Sequence, residues 1–294
     1  MTSPSHSPQT TNADAAPSLA QCLAQAQTLG LARLDAQMLL LHSLGRSTHE
    51  RAWLLAHDTD RLNPTQQAAW QVALQRRLAG EPVAYITGQK EFFGLTLAVD
   101  ARVLDPRPDT ETLVDWALAV LPKSEDTNRP LRILDLGTGS GAIALALQHM
   151  RPDALVWAVD ASEAALAVAR GNSAQLKLPV QFLASDWLAQ VDGVFDLIVS
   201  NPPYIADADP HLAALRHEPQ QALTSGPDGL DDVRRIVAAA PGHLHPGGWL
   251  LLEHGHDQAE KVRGLLTQAV FQQVQSHTDL AGHARCSGGQ KPAQ

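Results

Sequence analysis

The spacing of apolar residues along the chain changes twice, and each change marks a different kind of structure. From Leu19 to about Gly80, large apolar side chains recur at helical spacing, which predicts amphipathic helices. Asp35 is placed to cap one of these helices, and Pro64 is placed to open another that ends near Gly80. The sequence therefore predicts a small all-helical domain over residues 18–85.

The second pattern is a short segment that is apolar on both sides of one glycine. The segment from Glu91 to Val99 carries aromatic and aliphatic residues around Gly94, which predicts a β-hairpin. We expect residues 86–110 to form a hairpin linker between the helical domain and the rest of the chain. A helix is expected from about Asp109 to Val120.

From Leu131 onward, short apolar runs alternate with stretches at helical spacing. The runs include RILDL, LVWAV, VQFLA, VFDLIVS and GWLLLEH, and helical segments such as AIALALQHM lie between them. This alternation predicts an α/β domain over residues 111–294, with a doubly wound and mostly parallel sheet and helices on both faces. Ligands bind to such sheets at the carboxyl ends of the strands, so the motifs at those ends are the candidates for chemistry.

Composition and charge narrow the classes of function. The chain has 294 residues, of which 44% are apolar, and its formal net charge is −9. This acidity argues against non-specific binding to a phosphate backbone, which requires clustered Lys and Arg. The two cysteines, Cys22 and Cys286, form neither a CxxC pair nor a disulfide framework, which favours a reducing cytoplasm. No membrane-spanning run or signal peptide is recognised, and residues 1–17 are expected to form a disordered tail.

A glycine-rich loop with the sequence DLGTGSG, from Asp135 to Gly141, follows one predicted strand and opens a helix. Its glycines allow a sharp turn and the close approach of a ligand. Asp160 ends the next predicted strand, 19 residues after Gly141 (160 − 141), where a carboxylate can accept two hydrogen bonds from a ribose diol. The alternatives are a loop for NAD, or an Asp that only caps a helix. The leading Asp135 favours S-adenosylmethionine, because a carboxylate suits a sulfonium or ammonium group better than a pyrophosphate.

Asp186 and Trp187 follow the apolar run VQFLA. An acid beside an aromatic ring can accept a hydrogen bond from an adenine amino group and pack against the base. A helix cap followed by a core tryptophan explains these two residues equally well, so they are candidates only in the context of the glycine loop.

The loop Asn201-Pro-Pro-Tyr204 follows the apolar run FDLIVS and indicates the chemistry of the target. An amide or aromatic amine is a poor nucleophile, because its lone pair is conjugated, and it needs hydrogen-bond acceptors and an aligned approach. The Asn201 side-chain carbonyl and the Pro202 backbone carbonyl can supply the acceptors, while Tyr204 can stack on a flat group. The two prolines stiffen the loop and carry no N–H of their own. Such a site works by positioning and directed dipoles rather than by a strong base.

The histidines raise the question of a metal site. The closest pairs, His243 with His245 and His254 with His256, have no Cys or carboxylate cluster beside them, so we expect no metal. The tripeptide Gly288-Gly-Gln290 is expected to end the last strand.

Several motifs together resemble those of the release factor glutamine methyltransferases, also called the PrmC or HemK family. They are EPVAYITGQKEFFGL, PRPDTETLV, DLGTGSGAIALAL, SNPPYI, EPQQALTSGPDGL and PGGWLLLEHGHDQ. The resemblance extends from about Leu19 to Gly289. The glycine loop and the Asn-Pro-Pro-Tyr loop occur in many amino-methyltransferases, whereas the first two motifs are far more specific to this family.

The resemblance implies a class I S-adenosylmethionine-dependent methyltransferase with a Rossmann-like fold. Its target would be the side-chain amide nitrogen (N5) of the glutamine in the Gly-Gly-Gln motif of class I peptide chain release factors, and its product S-adenosylhomocysteine. The helical domain would dock the release factor, and no direct binding to nucleic acid or membrane is expected. The implied catalytic residues are Asn201, Pro202 and Tyr204, and the glutamine site adds Pro203. The implied cofactor site comprises Gly137, Thr138, Gly139, Ser140, Gly141, Asp160 and Trp187, with Asn201 near both ligands. The chemistry of their carboxylates, argued above, adds Asp135 and Asp186 to these candidates.

The chain departs from the family pattern at one linker motif. Asp105 stands where the family usually has Ile before PRPET, and Asp109 replaces the usual Glu. A buried carboxylate without a partner is costly, so we expect Asp105 to be exposed or paired.

Two other functions use the same motifs. A DNA adenine methyltransferase also carries an Asn-Pro-Pro-Tyr loop, but it should have a basic target-recognition region, and this chain is acidic. A protein that holds the cofactor without turnover would not need the intact loop at Asn201.

Overall fold

The computed structural model describes residues 16–123 and 129–293 and divides the chain into two compact units, Met1–Thr87 and Gly88–Gln294. Most of the segment 1–17, predicted to be a disordered tail, lies outside the described residues. Among the residues that are described, no helix is both long and apolar enough to cross a membrane.

The first unit is all helical. Its helices are α1 (Leu19–Thr28), α2 (Arg33–Ser43), α3 (Arg51–Ala56), α4 (Pro64–Leu78) and α5 (Val83–Thr87). They pack their apolar faces around Trp70 and Leu39, which are fully buried. Asn63 caps α4 and exchanges hydrogen bonds with Gln66, as its place before Pro64 favours.

The predicted cap at Asp35 is wrong. Helix α2 begins at Arg33, so Asp35 lies inside its first turn and makes no capping bond. Its carboxylate instead accepts a hydrogen bond from Arg77 of α4, with Nε to Oδ2 at 2.8 Å. A contact between helices therefore uses the side chain that the local sequence pattern assigned to a cap.

The second unit begins with the predicted hairpin. Strands β1 (Gln89–Phe92) and β2 (Leu95–Ala98) pair antiparallel, and the two residues of the turn, Phe93 and Gly94, have φ of 50° and 76°. A turn with two positive φ values matches the twist of paired strands. After a single 3₁₀ turn at Pro108–Thr110, helix α6 (Glu111–Val120) starts two residues later than expected.

A seven-stranded sheet forms the centre of the second unit, and it confirms the predicted α/β class. Its strands follow the order β5-β4-β3-β6-β7-β9-β8, in which the first five are parallel and β9 is antiparallel to both neighbours. They are β3 (Arg132–Leu136), β4 (Leu155–Asp160), β5 (Val180–Ala184), β6 (Phe195–Ser200), β7 (Leu244–Glu253), β8 (Gln272–Thr278) and β9 (Ala284–Gln290). The flanking helices are α6, α7 (Ala142–Met150), α8 (Glu163–Leu176), α9 (Asp231–Ala239) and α10 (Ala259–Gln268).

The strand order reverses between β3 and β6. Consecutive strands run from β3 to β5 in one direction, while β6 and β7 lie on the other side of β3. Crevices at such a switch point are the usual ligand sites of doubly wound sheets. The carboxyl ends of β3, β4 and β6 carry the glycine loop, Asp160 and Asn201, so the topology brings these motifs together. The pair Gly288-Gly289 lies in the last three residues of β9, as expected.

Candidate active site

A cavity of about 280 Å³ lies at the carboxyl ends of the parallel strands. Seven of the candidate residues line it, which are Gly137, Gly139, Asp160, Asp186, Trp187, Asn201 and Pro203. Asp135, Thr138, Ser140, Gly141, Pro202 and Tyr204 do not line this cavity. Seven of the thirteen candidates therefore line one cavity, and the other six lie outside its lining.

The glycine loop is closely packed at Gly137 and open at Gly139. Gly137 has φ of 69°, and a Cβ there would lie 3.1 Å from the Trp187 ring. Gly139 has φ of 55°, but a Cβ would meet nothing within 4 Å, because this residue faces open space in the cavity. The loop thus packs on Trp187 at one end and presents bare backbone to the cavity at the other.

Asp135 holds the glycine loop from behind. Its Oδ2 accepts hydrogen bonds from Thr138 Oγ1 at 2.6 Å and from the Ala144 backbone N–H at 3.2 Å. The side chain is fully buried, and within the described part of the chain no donor reaches its Oδ1. Burial raises the pKa of this carboxyl to about 7, since a low-dielectric environment disfavours the charged form. Asp135 therefore holds the glycine loop in place through these two hydrogen bonds. Its protonation state is determined mainly by its burial in the protein interior.

Asp160 faces the cavity from the end of β4. Its Oδ2 accepts the Gly139 backbone N–H and its Oδ1 accepts the Ser162 N–H, both at 2.9 Å. Burial raises the pKa of Asp160, and these two bonds oppose that rise. A carboxylate has about four lone-pair sites, so two acceptor positions stay available for a ligand's hydroxyl groups.

The wall beyond β5 is built by Trp187 and two residues of α9. Trp187 has a positive φ of 51°, and its Nε1 donates to Asp232 Oδ1 at 2.9 Å, which locks the ring beside Gly137. Arg235 binds Asp186 with Nη2 to Oδ2 at 2.6 Å, and both side chains are more than half exposed. Asp232 and Arg235 also line the cavity, and no motif in the sequence indicated either of them.

The Asn-Pro-Pro-Tyr loop is anchored at both ends. Ser200 Oγ donates to the Leu136 carbonyl at 2.7 Å, which ties the end of β6 to β3. Gln258 Nε2 donates to the Tyr204 carbonyl at 3.0 Å, and a Cβ on Gly229 would lie 2.1 Å from that same oxygen. Burial raises the pKa of the Tyr204 hydroxyl to about 12, so this group stays protonated and neutral.

Asn201 is held by two residues outside its own loop. Its Nδ2 donates to Thr110 Oγ1 at 3.3 Å. Glu253 ends β7 and lies beside Asn201, because Ser200 pairs with Leu252 in the sheet, and hydrogen bonding with Thr110 and Asn201 favours the charged form of its carboxyl. Glu253 is 1% exposed, and burial raises its pKa to about 7. No signal in the sequence pointed to Glu253 by itself, although it stands inside the motif PGGWLLLEHGHDQ.

An ion-pair cluster fastens the segment after this loop to the hairpin. Asp105 is 6% exposed and is paired, with Lys90 Nζ at 3.0 Å and Arg107 Nη1 at 3.4 Å, as we expected of a carboxylate at this position. Arg107 also pairs with Glu218. The unusual Asp105 is therefore accommodated by two cations instead of an apolar contact. In the described residues, no group of three or more His, Cys, Asp or Glu is placed to hold a metal ion.

Two family models match the chain. The methyltransferase small domain matches residues 110–283, and the PrmC N-terminal domain matches residues 16–88. The former match lies within the second compact unit, and the latter covers most of the first.

Relatives with established names match nearly the whole chain. A release factor glutamine methyltransferase of Bordetella pertussis is 54% identical over 88% of this chain and 95% of its own length. Proteins of the same name from Burkholderia pseudomallei and Coxiella burnetii are 49% and 47% identical. The former match covers 88% of this chain and 92% of the relative, and the latter covers 86% and 90%.

Solved structures support the fold alone. A T. thermophilus 16S rRNA N2 G1207 methyltransferase, solved with AdoMet and guanosine, is 24% identical with a TM-score of 0.51, covering 69% of this chain and 49% of that one. A methyltransferase from Pyrococcus furiosus is 20% identical with a TM-score of 0.52, covering 74% and 97%.

Proposed function

Because this chain belongs to the family of release factor glutamine methyltransferases, we propose that it methylates a glutamine of class I peptide chain release factors. The methyl donor is S-adenosylmethionine, and the acceptor is the side-chain amide nitrogen (N5) of the glutamine in the Gly-Gly-Gln motif. The observation that carries the proposal is the position of Asn201. Asn201 lines the same cavity as Gly139 and Asp160, and its amide nitrogen donates to Thr110, which is not among the residues that line this cavity.

The residues around the cavity fit the proposed cofactor. The bare backbone at Gly139 leaves space for close approach, and Asp160 retains two acceptor positions for a ribose diol. The locked Trp187 ring offers an apolar surface to a base, and the partly exposed Asp186 carboxylate offers an acceptor to its amino group. Bound there, S-adenosylmethionine supplies a methyl group made electrophilic by its sulfonium, whose sulfur keeps the electron pair when the methyl leaves.

Asn201 and Pro202 orient the nucleophile. The glutamine amide nitrogen attacks poorly unless its two N–H bonds are held and its lone pair is aimed. Asn201 Oδ1 accepts one N–H, and the Pro202 carbonyl accepts the other, because Pro202 stiffens the loop and brings no competing donor. Tyr204 packs against the amide as a neutral ring, and Pro203 completes the wall.

Charge balance does not require a strong base at this site. Nitrogen forms its bond to the methyl carbon and becomes positive, and it then loses its proton to water and returns to a neutral amide. The protein positions the glutamine amide relative to the methyl group and excludes misaligned approaches of the nitrogen. Such positioning accounts for a large part of the rate of group transfers.

The first unit is proposed to dock the release factor. Its match to the PrmC N-terminal domain supports a role particular to this family rather than one shared by all methyltransferases. We propose a protein partner rather than nucleic acid or membrane, in keeping with a net charge of −9.

Transfer of label from S-adenosylmethionine tests the proposal. The purified chain is incubated with an intact class I release factor, with the same factor carrying alanine in place of the Gly-Gly-Gln glutamine, and with duplex DNA. Label should enter only the intact factor. Label in the DNA, or equal label in both factors, would reject the proposal.

A further inference from the structure

A buried carboxylate lies behind Asn201, and the proposed reaction does not use it. Glu253 ends β7 and is 1% exposed, yet among the described residues no donor reaches its Oε2. In the sheet Ser200 of β6 pairs with Leu252 of β7, which sets Glu253 beside Asn201. Hydrogen bonding with Thr110 and Asn201 opposes the rise that burial causes in the pKa of its carboxyl. A buried carboxylate with half of its acceptor capacity unused is costly, which calls for a reason beyond packing.

The hydrogen bonds around Asn201 determine which end of its amide faces the cavity. The oxygen and nitrogen ends of an asparagine side chain have nearly the same shape, so only its partners decide between the two orientations. Thr110 cannot decide alone, because a hydroxyl can donate or accept. An ionised carboxylate can only accept, so Asn201 meets Glu253 with an N–H.

The Glu253 carboxylate also determines whether the Thr110 hydroxyl donates to Asn201 or accepts from it. Thr110 has one O–H, and donating it to Glu253 leaves only lone pairs for Asn201, whose Nδ2 lies 3.3 Å away. Both hydrogens of the Asn201 amide are thereby taken on the protein side. Its Oδ1 is left as the polar atom that the side chain can offer to the cavity.

We propose that Glu253 is a positioning residue that sets the amide orientation of Asn201, directly and through Thr110. This inference rests on the proposed function, in which Asn201 Oδ1 accepts an N–H of the target amide. With the opposite orientation, Asn201 would present N–H groups to the N–H groups of the target and would disfavour a productive approach.

The protonation state of Glu253 gives this arrangement a pH dependence. Burial raises the pKa of Glu253 to about 7. Below that pH the carboxyl carries a proton that can be donated to Asn201 Oδ1, which permits the reversed orientation. Turnover should therefore fall as the pH drops through about 7. The titratable and charged groups that face Glu253 are Asp109, Tyr204, Arg285 and Cys286.

Arg285 is the facing group that favours the charged form of Glu253, whereas Asp109 favours the neutral form. Burial raises the pKa values of Tyr204, to about 12, and of Cys286. Neither group therefore changes its charge near neutral pH. A change in turnover near pH 7 that is lost in Glu253→Gln therefore reports the titration of the Glu253 carboxyl.

Glu253→Gln is the first test, because glutamine keeps the shape of the side chain but can offer either a donor or an acceptor. We expect its kcat on a release factor to fall about 10- to 100-fold, the size of losing one hydrogen bond to a charged group. KM and S-adenosylmethionine affinity should change much less. The fall in turnover as the pH drops through about 7 should be absent in this variant. Glu260→Gln makes the same chemical change at an exposed position on α10 and should match the wild type.

A second readout needs no activity at all. In ¹⁵N-labelled protein, the side-chain amide resonances of Asn201, assigned by their loss in Asn201→Ala, should shift with a midpoint near pH 7. In Glu253→Gln that shift should be absent. If the wild type does not methylate a release factor but its Asn201 amide resonances still shift near pH 7, the proposed function is rejected. The positioning role of Glu253 would not be contradicted by that result.

The opposite outcomes overturn the inference. The positioning role is contradicted if Glu253→Gln has the wild-type kcat and an unchanged pH profile, or if it loses kcat and cofactor affinity equally. It is also contradicted if the Asn201 amide resonances of the wild-type protein do not shift with pH. If Glu253→Gln does not fold, Thr110→Val and Thr110→Ser decide, since only serine keeps the hydroxyl. Serine should restore most of the turnover that valine loses, and equal activity of the two variants would contradict the role.

Discussion

Asp160→Ala should weaken the binding of S-adenosylmethionine by a calculable amount. Of about four acceptor positions on the carboxylate, Gly139 and Ser162 occupy two, which leaves two for the ribose hydroxyls. Each hydrogen bond to a charged group contributes ~1.5–3 kcal/mol, so alanine removes ~3–6 kcal/mol. Because Asp160 is partly open to solvent, the lower end applies, and Kd should rise by about 10²-fold.

Calorimetric titration with S-adenosylhomocysteine measures this change without turnover. Asp153→Ala is the control, since Asp153 pairs with Arg151 before the start of β4, away from the carboxyl ends of the strands. Its affinity should equal that of the wild type. Ligand hydroxyls stabilise the charged carboxylate, so the raised pKa of Asp160 falls on binding, and wild-type affinity should weaken as the pH is lowered through the raised value. Unchanged affinity in Asp160→Ala would refute the assignment.

Three further predictions concern the substrate and the frame of the site. Asn201→Ala should lower single-turnover rates by ~10²-fold while cofactor affinity changes less, and Asn201→Asp should retain bound cofactor yet transfer poorly; wild-type rates in both would contradict the mechanism. Deleting residues 1–17 should leave methylation of a whole release factor intact, and deleting the helices through Gly80 should abolish it but spare cofactor binding; full activity of the shortened chain would reject the docking role. Gly229→Ala should lower the melting temperature, because its Cβ would collide with a backbone carbonyl at 2.1 Å, whereas Gly242→Ala meets nothing within 4 Å and should be tolerated; equal melting temperatures would show that the loop relaxes freely.

Much of the fold follows from local sequence patterns. Alternating apolar runs predict the strands, and the positions of the glycine loop, Asp160 and Asn201 at strand ends predict that they converge. The structure brings all three to one cavity. These predictions succeed because each depends only on a short segment and on the rule that parallel strands share one edge.

The residues that were not foreseen depend on contacts distant in sequence. Glu253 reaches Asn201 only because β7 lies beside β6, and Asp232 reaches Trp187 only because α9 packs near the end of β5. The prediction for Asp35 was wrong for the same reason: its residue type suits a helix cap, but its side chain pairs with Arg77 on another helix. Periodicity does not encode such partners.

The most direct measurement maps the methyl group within the substrate. After reaction with the wild-type chain and S-adenosylmethionine, a class I release factor is digested, and its peptides are fragmented in a mass spectrometer. We predict one added methyl group on the side-chain nitrogen of the Gly-Gly-Gln glutamine, and its loss when the enzyme carries Asn201→Ala. A methyl group on another residue of the factor, or none on this glutamine while DNA is methylated, would contradict the proposed function.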